Sequence, residues 1–246
     1  MNSFLRLTIL LVFTLPCSKV SAREYEIPVK KAIPPEMDPI PYVNIAVAHL
    51  HNVFSKDSHS LRSYRVLPEI THRVYLDLSV GRHKDRVILG LFGRVAPRTV
   101  ENFRALATCA RTGLCYKGSK IHRIIPHFGL QGGDFTHGDG TGGKSIYGGR
   151  FEDEYLELNF HRPYLLAMSN AGKKNTNGSQ FFINSVKTQW LSGKNVIFGM
   201  VLEGQNVLKD LEENYGTYSG TPTQEVTIVD CGEMPLEPQD KEVHYA

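Results

Sequence analysis

Gly138-Asp139-Gly140-Thr141-Gly142-Gly143-Lys144-Ser145 fits the pattern G-x-x-x-x-G-K-[ST]. In a nucleotide-binding P-loop, such a segment holds phosphates with backbone N–H groups and the lysine. Val226-Thr227-Ile228-Val229-Asp230 resembles the strand that ends in a magnesium-binding Asp. That chemistry needs a buried strand before the loop and a helix N-terminus after it. Here Gly132-Gly133 precede the loop and Gly148-Gly149 follow it. Two adjacent glycines cost about 2 kcal/mol of helix propensity relative to alanine. The βαβ alternation is missing as well, so nucleotide hydrolysis is not expected.

Other reactive residues are sparse. Cys109, Cys115 and Cys231 remain once Cys17 is set aside with the leader described below, and an odd count leaves at least one free thiol. Cys109 and Cys115 flank a short glycine-containing loop. They could pair in an oxidising lumen or stay reduced, and the sequence leaves both open. The three sulfurs have no regular metal-ligand spacing. His49 and His51 are two apart, so on a helix they point to different sides and read as surface histidines. Arg123 offers five N–H donors and a charge it cannot lose. On its own it reads as an arginine whose stem covers a barrel rim.

The elements that would position these groups are mostly strands. Val74, Leu76 and Leu78 alternate with Tyr75, Asp77 and Ser79, the pattern of a half-buried strand. Arg86–Phe92 is a second. Apolar runs at 121–125, 128–131, 164–168, 180–184, 196–201 and 226–230 bring the number to eight, several separated by glycine-rich turns. Two segments break the pattern. Pro97 opens one, and Val100, Phe103 and Ala107 then share a helical face. Val207, Leu208 and Leu211 mark a second helix within 204–214. The expectation is an all-β dominated domain, an eight-stranded antiparallel closed barrel capped by two helices.

The chain flanking this domain differs. Met1–Ala22 has a basic start, an apolar run from Leu7 to Leu15, and Val20-Ser21-Ala22 before a cut. These are the parts of a secretory signal peptide. Nine helical residues cover about 14 Å, roughly half of a ~30 Å hydrocarbon core, a poor permanent span, with an uncleaved signal anchor as the lesser alternative. No later stretch approaches 18 apolar residues, so the mature chain is expected to lack a transmembrane span. Five prolines fall between Arg23 and Pro41, which excludes helix and central strand. Val43, Val47, Leu50 and Phe54 then recur at helical spacing, which reads as a short amphipathic helix for packing on the domain's own flank, a partner or a membrane surface, and 55–65 reads as a linker. The expected divisions are a signal peptide at 1–22, an extension at 23–70, the main domain at 71–233 and a polar tail at 234–246. The last residues are not a Lys-Asp-Glu-Leu type retention signal. Hydrophobic residues are 41% and charged residues 22% of the 246, enough for a core. Arg6 and Lys19 are the only charges in the leader, so its removal lowers the formal charge from +3 to +1. No strong field points to nucleic acid.

Within 71–233 the chain resembles the cyclophilins. The resemblance is carried by Ile121-His122-Arg123-Ile124-Ile125-Pro126-His127-Phe128-Gly129-Leu130-Gln131-Gly132-Gly133-Asp134-Phe135, by Asn175-Thr176-Asn177-Gly178-Ser179-Gln180-Phe181-Phe182-Ile183, and by Trp190-Leu191-Ser192-Gly193-Lys194. Asn102-Phe103-Arg104-Ala105-Leu106 and 140–145 match too, all in the family's order. Together these motifs are highly specific. The resemblance implies a peptidyl-prolyl cis-trans isomerase with an eight-stranded barrel and two capping helices. It implies no cofactor and no metal. The partners it implies are proline-containing peptides and proteins and cyclosporin-type ligands, and a monomer is expected.

By the same resemblance, Arg123 contacts the prolyl carbonyl and the imide nitrogen, and Gln131 hydrogen-bonds Arg123 and the substrate backbone. Phe128, Phe182 and Leu191 line the proline pocket. Asn170 pairs with the peptide backbone, beside Ser169, Ala171, Gln180 and Gly140, and Trp190 marks the cyclosporin rim. Several positions depart from the family pattern. Gly129 stands where methionine is usual, Asn195 where histidine is common and Ser169 where alanine is common. Lys173-Lys174-Asn175 is one residue longer. The Gly129 gap suggests that a methionine there would improve proline binding, by about 1–2 kcal/mol if it buried most of its surface. It also keeps open an alternative, a proline-peptide or cyclosporin binding module with weak catalysis. Folding assistance in the secretory pathway, in the endoplasmic reticulum lumen or outside the cell, is the function expected.

Overall fold

The computed structural model describes residues 67–242. The expected signal peptide, most of the proline-rich extension and the end of the tail lie outside the described residues. Eight strands form one antiparallel sheet: β1 (His72–Val80), β2 (His83–Leu91), β3 (Arg123–Ile125), β4 (Gly129–Gly132), β5 (Leu165–Met168), β6 (Phe181–Asn184), β7 (Ile197–Glu203) and β8 (Val226–Met234). Two helices accompany them, α1 (Pro97–Ala107) and α2 (Gln205–Tyr215). Each of the eight apolar runs read from the sequence contains or overlaps one of these strands.

The spatial order is β3-β4-β6-β5-β7-β2-β1-β8. The ladder is open between β3 and β8, so the sheet is an open half-barrel and not the closed barrel expected. The reason is local. β3 is only three residues long, and residues 118–121 cross the gap without forming a strand. They reach β8 through isolated bonds, Ile121 N to Val226 O at 2.9 Å and Ile228 N to Ser119 O at 2.8 Å.

The pleat sorts side chains into two cores, because successive residues face opposite sides of a strand. Ile124, Leu130, Leu166, Phe181, Ile183 and Phe198 point into the main core. There they meet Val100, Phe103 and Leu106 of α1 and Leu208 and Leu211 of α2. Phe103 packs edge-on against Phe181, with ring centroids 5.3 Å apart. The alternate residues Leu165, Ala167, Phe182 and Ile197 face a second, smaller core with Ile70, Phe92 and Phe160. α1 starts at Pro97, whose missing N–H costs nothing at the first helical position. Its next two N–H groups donate to the Glu154 carboxylate at 3.0 and 2.7 Å, so a distant residue caps the helix.

The chain also packs back on itself at its C-terminal end. Buried Arg73 of β1 pairs with Glu203, Glu237 and Asp240. Among the described residues no helix is long and apolar enough to cross a membrane.

Candidate functional site

Register assembles the site. Arg123 of β3 lies opposite Gln131 of β4, Gln131 opposite Phe182 of β6, and Phe182 opposite Ala167 of β5. Residues directly across from one another share a face, so a permanent cation, an amide and an aromatic ring stand in one row on the side away from the main core. Phe182 is 5% exposed. Phe128 stacks beside it at 6.3 Å between centroids and 15° between planes. Phe160 supports it from the other side at 5.6 Å and 18°. Leu191, on the short 3-10 turn Gln189–Leu191, packs on the same cluster. The result is an apolar recess beside an exposed guanidinium. Trp190 is 58% exposed at its edge.

Gln131 behaves differently from the expectation. Its amide donates to Ser169 Oγ and to Gln180 Oε1, both at 2.9 Å, and is not bonded to Arg123. Gln180 passes the connection on, its own amide donating to the Gly140 and Gly142 carbonyls at 2.8 and 2.9 Å. The side chains of Gln131, Ser169 and Gln180 and the backbone of Gly140 thus form one polar wall, with Asn170 and Ala171 continuing from Ser169. Asn170 donates to Lys194 O at 2.8 Å, tying this wall to the segment that follows Trp190 and Leu191. The Arg123 stem lies against Gly220, where a Cβ would come within 2.9 Å of it.

The glycine-rich loop that resembles a P-loop is filled from within. Both oxygens of buried Asp134 are occupied: one accepts from Thr136 N, Thr136 Oγ1 and His137 N, the other from Gly140 N and Gly142 N. Burial alone would raise its pKa, but donors including His137, Gly142 and Thr136 outweigh burial and hold the carboxyl well below the usual range. The N–H groups a phosphate would need are therefore spent on a carboxylate, and no helix follows. His137 and Asp139 come close to Asp134, but a metal there would have to displace these donors. His122, next to Arg123, packs under Gly140, and burial pushes its pKa down.

The model of the cyclophilin type peptidyl-prolyl cis-trans isomerase family matches residues 75–233, well over half of the chain. The Arabidopsis thaliana peptidyl-prolyl cis-trans isomerase CYP21-1 is 46% identical over 181 residues, covering 71% of this chain and 80% of that protein. The chain belongs to the cyclophilin-type peptidyl-prolyl cis-trans isomerases.

Two positions of this cyclophilin stand apart from the recess. Gly129 has φ +141, and a Cβ built on it would come within 2.0 Å of Ile183 O. A methionine there would meet the β6 backbone at a strained φ, which weighs against the expected gain in proline binding. Asn195 is buried and donates to Met168 O at 3.0 Å, holding the end of β5.

The structure also brings in residues that the sequence reading missed. Phe160 lies in irregular chain between apolar runs, and Asp134 was read only as part of a motif. An Asp followed by Thr two residues on, with glycines beyond, is the one signal that marks such a loop hub in advance. The cysteines are resolved as well. Cys109 and Cys115 form a disulfide with a Cα separation of 4.5 Å. Cys231 is a free, buried thiol whose pKa burial and Asp230 push up to about 11.

Proposed function

We propose that this cyclophilin catalyses rotation about X-Pro bonds in the recess formed by Phe128, Phe182 and Leu191, with Arg123 as the donor that lowers the barrier. Amide resonance sets that barrier at about 18–20 kcal/mol, and each ~1.4 kcal/mol removed gives tenfold in rate. Rotation needs no nucleophile. It needs a dry seat for the ring and a donor that favours the twisted bond over the planar one. The apolar ring stack supplies the seat. The Arg123 guanidinium is held beside it by β3 and Gly220, and it donates to the prolyl carbonyl and to the imide nitrogen as that nitrogen loses conjugation. Gln131, Ser169, Asn170, Ala171 and Gln180 line the peptide backbone, and Trp190 meets cyclosporin-type ligands at the rim.

The observation that carries this reading is the cross-strand row Arg123–Gln131–Phe182. The setting proposed is the secretory pathway, entered through the leader at 1–22 and serving folding of client proteins. The Cys109–Cys115 disulfide supports it, since such bonds persist in oxidising compartments.

The test is isomerisation of a short X-Pro peptide by the mature chain and by Arg123→Ala. Arg123 is exposed, so the variant should keep its fold while kcat/KM falls about 100- to 1,000-fold, the usual loss when one transition-state donor is removed. Wild-type turnover in a folded Arg123→Ala protein overturns the mechanism. Peptide binding without turnover in the unmodified protein favours the binding-module alternative.

A further inference from the structure

The lysines and arginines of this chain divide sharply between two stretches. From Arg123 to Lys194 there are eight, and none makes an ion pair among the described residues. Elsewhere in the described chain nearly all of them do, for example Arg73, Arg86, Arg98, Arg104 and Lys117. Acidic residues are not lacking in the first stretch, but they are engaged. Asp134 and Asp139 accept from their own loop. Glu152 pairs with Arg98 of α1, and Glu154 caps that helix. Asp153 accepts from Asn175 N and Asn177 Nδ2 at 3.0 and 2.8 Å, and Glu157 accepts from Tyr155.

Four of the unpaired cations are tied to the loop that follows Ser169. Lys173 and Lys174 lie within it and are exposed. Thr176 fixes their turn, its hydroxyl donating to Lys173 O at 2.7 Å and accepting from Ala171 N at 3.1 Å. Arg150 donates to Thr176 O at 3.3 Å. Lys194 supplies the carbonyl that receives the Asn170 amide. Lys173 and Lys174 therefore stand, without acidic partners among the described residues, in the loop that continues from the peptide-lining residues Ser169, Asn170 and Ala171, and Asp153, the acid bonded to this loop, has both oxygens engaged.

We infer that this rim selects substrates with an acidic side chain flanking the proline. The inference rests on the site proposed above. It concerns the peptide beyond the proline, where an unpaired lysine meets an incoming carboxylate without first breaking an existing pair. The attraction acts between exposed groups, so it is modest and is screened by salt.

The test uses the mature full-length chain and three proline peptides that carry Glu, Ala or Lys at matched positions two residues before or two residues after the proline. Affinity and isomerisation rate are both read by NMR, at about 20 mM and about 500 mM salt. The Glu peptide should be favoured over the Ala peptide about two- to fivefold at low salt at one of the two positions. That preference should shrink toward unity at high salt. In Lys173→Glu/Lys174→Glu it should vanish or invert. The control Arg82→Glu, on the β1–β2 turn, should leave it intact. Lys173→Gln/Lys174→Gln, which removes charge without adding any, should give an intermediate ratio if the first variant misfolds. Equal affinities for all three peptides at both positions overturn the inference, as does a preference unchanged in both lysine variants. A charge preference in binding without turnover would sink the isomerase site alone and leave the rim's selectivity standing.

Discussion

The half of the molecule built on β1, β2, β8 and the two helices differs in kind from the half built on β3 to β6. In the first, strands are long and charges are consumed internally. Arg86 binds Asp77 through two nitrogens, at 2.6 and 3.0 Å, and lies over the Tyr75 ring. Arg104 bridges Glu101 and Glu233. In the second, strands are three or four residues long, half-buried Phe128 and Leu191 edge an aromatic stack, and the cations have no acidic partner among the described residues. Interactions that are satisfied within the fold stabilise it, and groups left unsatisfied at the surface remain available to a ligand. The two halves show that division of labour along one chain.

The contrast can be broken from the stabilising side first. Arg73→Ala leaves buried Asp240 without its cation, together with Glu203 and Glu237. Removing one partner of a buried pair costs about 3–5 kcal/mol. Denaturant unfolding should show that loss while kcat/KM of the folded fraction stays at the wild-type value. A matched fall in kcat/KM would mean the two halves are coupled.

Gly129→Met probes the border between the halves. The substitution combines a strained φ with a clash against Ile183 O, together about 2–4 kcal/mol. A lower melting temperature with weaker proline binding is expected. Unchanged melting with tighter binding would show that β4 can yield to a side chain.

Asp134→Asn has the smallest expected effect. One donor-accepting oxygen is lost and the loop beside Gln180 loosens, at about 1–3 kcal/mol. The pH dependence carries a definite sign. A carboxyl whose folded pKa is depressed contributes its full stability above its unfolded value, and loses that contribution as pH falls toward the folded one. The stability gap between wild type and Asp134→Asn should be constant from pH 8 to about 5 and narrow only below about 4. A gap that changes near neutral pH would show that another group controls the loop.

Much of the architecture was legible in the linear order of residues. Alternation in β1 and short apolar runs elsewhere located all eight strands, and Pro97 with its apolar spacing located α1, because these signals depend on near neighbours in the chain. Trp190, Leu191 and Arg123 were legible only as a family resemblance. Closure of the barrel was not legible, since it depends on whether residues 118–121 pair continuously with β8, and they do not.

What the sequence by itself determined is the inventory: which segments are strands or helices, which side chains carry charge, and which loop cannot open a phosphate-binding helix. What only the tertiary structure decided is adjacency. The row Arg123–Gln131–Phe182 exists because β4 pairs with both β3 and β6 in one register, and a slip of one residue would turn each side chain to the other face. Phe160 joins that row from irregular chain through packing alone. Gly129 was a vacancy in the sequence and is a filled space in the fold, because the backbone of β6 occupies the volume a methionine would need.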